Sequence, residues 1–377
     1  MVHGNCRDDF APLRSLLESN LASGEDVGAA VAVVHDGELV VDLWGGEARP
    51  GVPWAEDTIC QVWSVTKAMV GLAFLTLVDR GEIDLDAPVA DYWPDFAAHG
   101  KEGVLVRQVL GHSSGVPGWS TPVTVEDILD LERSEALLAA ETPWYEPGSA
   151  SAYQIVDHGH LLDGIAYGAT GRRLADVLHD DVMTPAGGGF RLGVPDDELD
   201  RCADLINPPP SQVDYAALPP DHFLLRTVPN PLLTPAVCNT EQWRRGAVGG
   251  AGGHGTARGI ALAQSAVSHG GVLGGTRLLS EETVARIHEP QAEGVDLLLM
   301  LPLRFGIGYA LPSAAAPAIP DGQVSWWTGY GGAIVVNDAD RRTTVAYVPN
   351  RLADHMVASP RTDAYVRTAL ECVGVGR

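Results

Sequence analysis

Lysine is almost absent from this chain. Of its 377 residues, 23 are arginine and only two are lysine, Lys67 and Lys101, so the place of each lysine carries information. Positive charge is scarce altogether: 25 basic residues stand against 49 acidic ones, a formal charge of −24. So negative a surface does not grip phosphates or an anionic membrane face, which excludes nucleic acid and lipid surfaces as partners. Cysteine is sparse too. The five, at Cys6, Cys60, Cys202, Cys238 and Cys372, are odd in number, widely spaced and without a Cys-x-x-Cys, a pattern of reduced thiols rather than of a disulfide frame or zinc site. No metal and no cofactor is expected. The longest apolar run, Ala68 to Val78, is too short to cross a bilayer. Met1 to Ser15 carries Arg7, Asp8, Asp9 and Arg14 and no apolar stretch of the secretory kind, so a cytoplasmic protein is expected.

What is present is a loop-rich globular composition, 45% hydrophobic and 20% charged, with 43 Gly and 26 Pro. At roughly 100–200 residues per domain, the length allows one large domain or two intimately joined ones. An amphipathic helix from about Asp8 to Ser23 precedes two β-rich runs, Gly28 to His35 and Glu38 to Trp44. They are joined at Asp36-Gly37, a strong hairpin signal. A helix opens near Ser64 and stops at Gly81. From there to about Asp200 the periodic segments are helical: Arg107 to Gly111, Val125 to Ala140, Tyr153 to Tyr167 and Leu174 to Val182. Asn207 to Pro235 is Pro-rich and reads as a rigid connector. Helices near Thr256 to His269 and Glu281 to His288 follow. Strand candidates then gather at Phe305 to Leu311, Val324 to Thr328, Ala333 to Asn337 and Arg342 to Val348, before a last helix from about Arg361 to Cys372. Strands at both chain ends with helices between predict an α+β fold: one antiparallel sheet flanked by helices, with a mainly helical region inserted. The boundaries expected are 1–62 with 230–377 for the sheet domain and 63–229 for the helical one, with the active site at their interface.

Chemistry concentrates at Trp63-Ser64-Val65-Thr66-Lys67. If Ser64 opens the helix, Ser64 and Lys67 lie one turn apart on the same face, within reach of one another. The helix N-terminus puts partial positive charge beside Ser64, favouring an oxyanion formed when the serine attacks a carbonyl. Lys67 accepts a proton only if burial depresses its pKa, and the apolar flanks on all sides favour burial. A second proton carrier is offered by Tyr153, which opens a helical segment after Pro147-Gly148. Late in the chain, Trp327-Thr328-Gly329-Tyr330-Gly331-Gly332 lies on a strand candidate whose glycines would let a substrate approach the backbone. Lys101 has no assigned role and is expected at the surface. Gly250-Ala251-Gly252-Gly253-His254-Gly255 fits the dinucleotide spacing, but no strand precedes it, so a backbone turn into the next helix is expected.

Together these features resemble the serine β-lactamase and penicillin-binding-protein superfamily, whose signatures include Ser-x-x-Lys and a late Lys-Thr-Gly strand motif. Order and spacing resemble the class C branch. Leu110-Gly111-His112-Ser113-Ser114-Gly115-Val116-Pro117, Tyr145-Glu146-Pro147-Gly148, Gly253-His254-Gly255-Thr256-Ala257-Arg258 and Phe305-Gly306-Ile307-Gly308-Tyr309 are similar to supporting segments of that branch, so the likeness spans about residues 25–370. It implies a β-lactamase-like fold with Ser64 as nucleophile, Lys67 and Tyr153 as its proton partners, and backbone N–H groups of Ser64 and Tyr330 as the oxyanion hole. Two departures matter. Tyr153-Gln154-Ile155 lacks the amide of the Tyr-x-Asn motif, and Trp327-Thr328-Gly329 replaces the lysine of Lys-Thr-Gly by an aromatic surface. Losing that cation weakens carboxylate recognition by about 1.5–3 kcal/mol, which disfavours a β-lactam or D-Ala-D-Ala substrate. The Trp-led motif is similar to that of family VIII carboxylesterases and of related fungal acyltransferases. The expectation is a serine carboxylesterase acting on a small, uncharged or hydrophobic ester, with acyl transfer to an alcohol or amine as the alternative and a silent binding protein as a distant third. Trp327, Thr328, Gly329, Trp326, Trp119 and Trp144 are the candidate substrate-binding residues.

Overall fold

The computed structural model describes residues 1–210 and 215–375. Its main sheet is built from both ends of the chain. Strands β1 (Val2–Cys6), β2 (Gly28–His35) and β3 (Glu38–Arg49) come from the start, and β6 (Val324–Thr328), β7 (Ile334–Asp338) and β8 (Thr343–Pro349) from the end. The spatial order is β1-β3-β2-β8-β7-β6, antiparallel throughout, with Val345 opposite Val33 where the two halves meet. Asp36 and Gly37 both take left-handed angles, φ 50° and 83°, as a two-residue hairpin turn demands, and this fixes the β2–β3 register.

Both faces of the sheet are covered, which is why β2 reads Gly-Ala-Ala-Val-Ala-Val-Val without polar alternation and is buried along that whole run. Residues an odd number apart on a strand point to opposite faces. On β8, Thr344 meets Ser268 of the helix Ala257–Ser268 at 2.8 Å, whereas Tyr347 stacks at 4.1 Å on Tyr365 of the C-terminal helix Pro360–Val375. Helix α1 (Ala11–Ser23) packs beside that C-terminal helix.

Between sheet and helical region runs α2 (Val65–Asp79), whose residues 65–77 are all buried. A helix apolar on every side has no solvent face to turn outward, so it must sit in the core. It touches Ala257–Ser268 and β6 on one side and α3 (Asp157–Thr170) with the turns at 174–183 on the other. Its N-terminus therefore opens where sheet and helices meet.

Several boundaries differ from expectation. The N-terminal edge strand β1 was not legible, because Val-His-Gly-Asn-Cys carries no strong β signal. The periodic stretch 125–140 is two helices broken at Asp130, whose carboxylate caps the second. Phe305 ends a strand, β5 (Pro302–Phe305), that pairs with β4 (Ala292–Val295); the glycines at 306 and 308 turn the chain, and Ala310 bridges to Trp326. Lys101 is not at the surface: it is fully buried, its ammonium held by the carbonyls of Ala98, Ala139 and Glu141. In the Pro-rich passage, residues 211–214 lie outside the described residues; nearby, Asn230 donates to the carbonyls of Trp119 and Thr121 and accepts from the Val123 N–H.

Candidate active site

Trp63 has a left-handed backbone, φ 48°, a costly conformation for a bulky residue that surrounding structure must hold. It bends the chain into α2, so that Ser64 stands immediately before the helix and Lys67 one turn inside it. Lys67 Nζ lies 3.0 Å from Ser64 Oγ, 2.7 Å from the Ile155 carbonyl and 2.8 Å from the Gly250 carbonyl. The Tyr153 hydroxyl donates to Ser64 Oγ at 2.7 Å. Tyr153 does not begin a helix: α3 starts four residues later, and the intervening non-helical stretch leaves the Ile155 carbonyl for Lys67.

Burial pulls the Lys67 amine down to about 7, against the opposing pull of Asp157. Burial pushes the Tyr153 phenol up, with its bonds to Ser64 and Trp327 opposing, so it stays protonated. Lys67 has three acceptors as an ammonium. As a neutral amine it keeps two N–H bonds, to Ile155 and Gly250, and turns its lone pair to the Ser64 hydroxyl. The set therefore accommodates both protonation states, which a proton-transfer site requires.

The Gly250 contact explains the glycine-rich segment. A Cβ on Gly159 would sit 2.2 Å from the Gly249 carbonyl carbon, and one on Gly250 would sit 2.2 Å from the Val156 carbonyl oxygen. Only glycines let these two backbones touch, and the touch brings the Ile155 and Gly250 carbonyls to one amine. In sequence, Gly250 reads only as part of a backbone turn and nothing points to Gly159; the density of glycine from 249 to 253 is the available signal.

Trp327 and Thr328 end β6 beside Tyr153. At Gly329 a Cβ would lie 2.2 Å from the Val62 carbonyl, so the strand end runs against the backbone just before Ser64, and Tyr330 meets Trp63 edge-on at 5.6 Å. A cleft of about 320 Å³, its open mouth included, is lined by Tyr153, Leu299, Leu303, Phe305, Ala310, Trp326, Trp327, Thr328, Met356 and Val357, none of them charged. Trp119 and Trp144 are not among its walls. Trp119 is buried with its indole donating to the Ser134 carbonyl, and Trp144 meets Phe223 edge-on and lies against the Arg226 guanidinium. Gln154, the middle residue of Tyr153-Gln154-Ile155, turns its amide inward to Ser114 Oγ and the Val116 carbonyl, so it does not replace the amide absent at Ile155. Residues 111–115 also spell Gly-x-Ser-x-Gly, the spacing of a nucleophile elbow, but they follow the helix Val106–Leu110 rather than a strand, and Ser113 is buried against the Gln108 carbonyl.

The Beta-lactamase family model matches residues 13–370. Esterase/beta-lactamase LipL of Mycobacterium tuberculosis is 34% identical over 345 residues, covering 88% of this chain and 78% of that protein. Among solved structures, a family VIII carboxylesterase superposes with a TM-score of 0.91 at 33% identity, covering 99% of this chain and 100% of its own. A penicillin-binding-protein homologue from Caulobacter crescentus gives 0.90 at 31%, with the same coverage.

Proposed function

We propose, from the premise that the chain belongs to the Beta-lactamase family, that it is a serine carboxylesterase cleaving small uncharged or hydrophobic esters through an acyl-Ser64 intermediate. The observation that carries this is one oxygen with two partners: Ser64 Oγ is 3.0 Å from Lys67 Nζ and 2.7 Å from the Tyr153 hydroxyl. The esterase names of similar proteins support the same reading.

In the first half-reaction the neutral Lys67 amine takes the Ser64 proton as Oγ bonds to the ester carbon. The oxyanion is received by the N–H groups of Ser64 and Tyr330, a contribution that is usually the largest in acyl transfer. As the bond to the alcohol breaks, Tyr153 gives its proton to the leaving alkoxide, and the Lys67 ammonium, 4.8 Å from the Tyr153 ring, returns a proton to the phenolate, since the acylated Ser64 oxygen carries none to relay. Water then repeats the sequence against the acyl-enzyme and releases the acid. The uncharged cleft beside Trp327 suits an apolar substrate and holds no cation for a carboxylate. Among the described residues no helix is long and apolar enough to cross a membrane; a cytoplasmic location and a small-molecule ester as partner are part of the proposal.

A fluorophosphonate probe followed by intact mass measurement tests the reading. One adduct per chain is expected on the wild type and none on Ser64→Ala. An adduct that survives Ser64→Ala removes the proposed nucleophile.

A further inference from the structure

One buried carboxylate touches the proposed site without taking part in its proton traffic. Asp296 is fully buried at the first position of the turn between β4 and β5. Its Oδ1 accepts three backbone N–H bonds: from Leu298 at 3.0 Å, from Leu299 at 2.8 Å, and, across the molecule, from Tyr153 at 3.2 Å. A second tie runs alongside, the Leu297 N–H to the Ser151 carbonyl at 2.8 Å. The same turn puts Leu299 on the wall of the apolar cleft, next to Leu303 and Phe305 of β5.

Closing a turn does not need a charge. A serine or asparagine side chain caps such N–H groups at lower desolvation cost. Here a carboxylate is buried with Oδ2 lacking any hydrogen-bond partner, which is expensive. What the charge adds is strength: bonds to an ionised acceptor are roughly twice as strong as neutral ones, and three of them converge on one oxygen. The turn and the Tyr153 backbone therefore cannot shift independently.

We infer that Asp296 is a positioning and specificity-determining residue, which locks the cleft wall at Leu299 to the backbone of Tyr153 so that acyl-chain fit and proton delivery are set together. The inference rests on the esterase reading above. It goes beyond that reading in making the β4–β5 turn, rather than the Trp327 strand alone, the element that chooses among acyl chains.

The test compares kcat and KM of wild type, Asp296→Asn, Asp296→Ala, Leu299→Ala and the double variant Asp296→Ala/Leu299→Ala on nitrophenyl acetate, butyrate and octanoate, with melting curves on each protein. Misplacing a catalytic group by about 1 Å can cost about 100-fold. Asp296→Ala is therefore expected to lower kcat on acetate by about tenfold or more and to shift the octanoate-to-acetate ratio of kcat/KM in the same direction as Leu299→Ala. Asp296→Asn, which keeps an acceptor oxygen but loses the charge, should shift the ratio in the same direction and by less than Asp296→Ala. In the double variant the ratio should match that of Leu299→Ala alone, since both changes act on one wall. If Asp296→Ala does not fold, Asp296→Ser takes its place with the same expected direction. A folded variant with wild-type kcat and a wild-type ratio overturns the inference, as does an Asn variant whose ratio is altered as much as that of Ala. Tyr153→Phe separates the two readings: full activity in that variant removes the proton role of Tyr153, while the chain-length ratio of the Asp296 variants still decides the role of the turn.

Discussion

The two lysines of this chain sit in environments that look alike and work differently. Both are fully buried, both lie over an aromatic ring, Lys67 at 4.8 Å from Tyr153 and Lys101 at 5.2 Å from Phe96, and both bond backbone carbonyls. Burial lowers the pKa of each, and a carboxylate opposes it, Asp157 for Lys67 and Glu141 for Lys101. The difference is the third acceptor. Lys101 has three carbonyls, from Ala98, Ala139 and Glu141, and a carbonyl has no proton to give. That cage stabilises only the ammonium. Lys67 has two carbonyls and a serine hydroxyl, and the hydroxyl serves the ammonium as acceptor and the amine as donor. Burial makes a lysine willing to lose its proton; a protic third neighbour makes the loss useful.

The most severe way to break this contrast is Lys67→Arg. It keeps a buried cation but cannot deprotonate, and a general base contributes about 10²- to 10⁴-fold, so kcat/KM on a nitrophenyl ester should fall by that much. Retention of more than about a tenth of the activity would show that no proton passes through this position. The complementary change is Lys101→Met. It strands three buried carbonyls, each costing about 1–3 kcal/mol unless water reaches it, so urea denaturation should show a loss on the order of 3 kcal/mol. Activity per folded molecule should not change. A stable Lys101→Met protein with depressed kcat would make the second lysine functional and dissolve the distinction.

How the two lysines read in sequence follows the same logic. Ser64-Val65-Thr66-Lys67 was legible because i and i+3 on a helix must be neighbours, and the apolar run behind it signalled burial. The hairpin at Asp36-Gly37 and the strand Val324–Thr328 were legible for equally local reasons, turn chemistry and a dense β run. Lys101 was misread because its burial depends on carbonyls 38 and 40 residues away, a contact with no local trace. Trp119 and Trp144 were candidates on residue type alone, and type does not say which wall a side chain joins. Ile155, Gly250 and Asp296 act through backbone or across the fold, so no motif points to them. What local pattern specifies is readable; what non-local packing specifies is not.

The finest test of the contrast concerns the two carboxylates. Lys67 works as a neutral amine, so kcat/KM should rise with pH through about 7, the value to which burial lowers it. The groups around it are Tyr153, whose phenol is pushed up and stays protonated, His112 and His158, both held well below the ordinary histidine range by burial and so neutral, Asp296, and Asp157, itself raised to about 7 by burial. An ionised Asp157 favours the ammonium and so holds the Lys67 pKa up. Asp157→Asn removes that charge, the pKa falls, and the acid limb of the profile should move to lower pH by about 0.5–1 unit. Glu141→Gln makes the same change beside Lys101 and should leave the limb in place, because that lysine never gives up its proton in the reaction. A limb that stays put in Asp157→Asn, or that moves in Glu141→Gln, would assign the titration to a group other than Lys67.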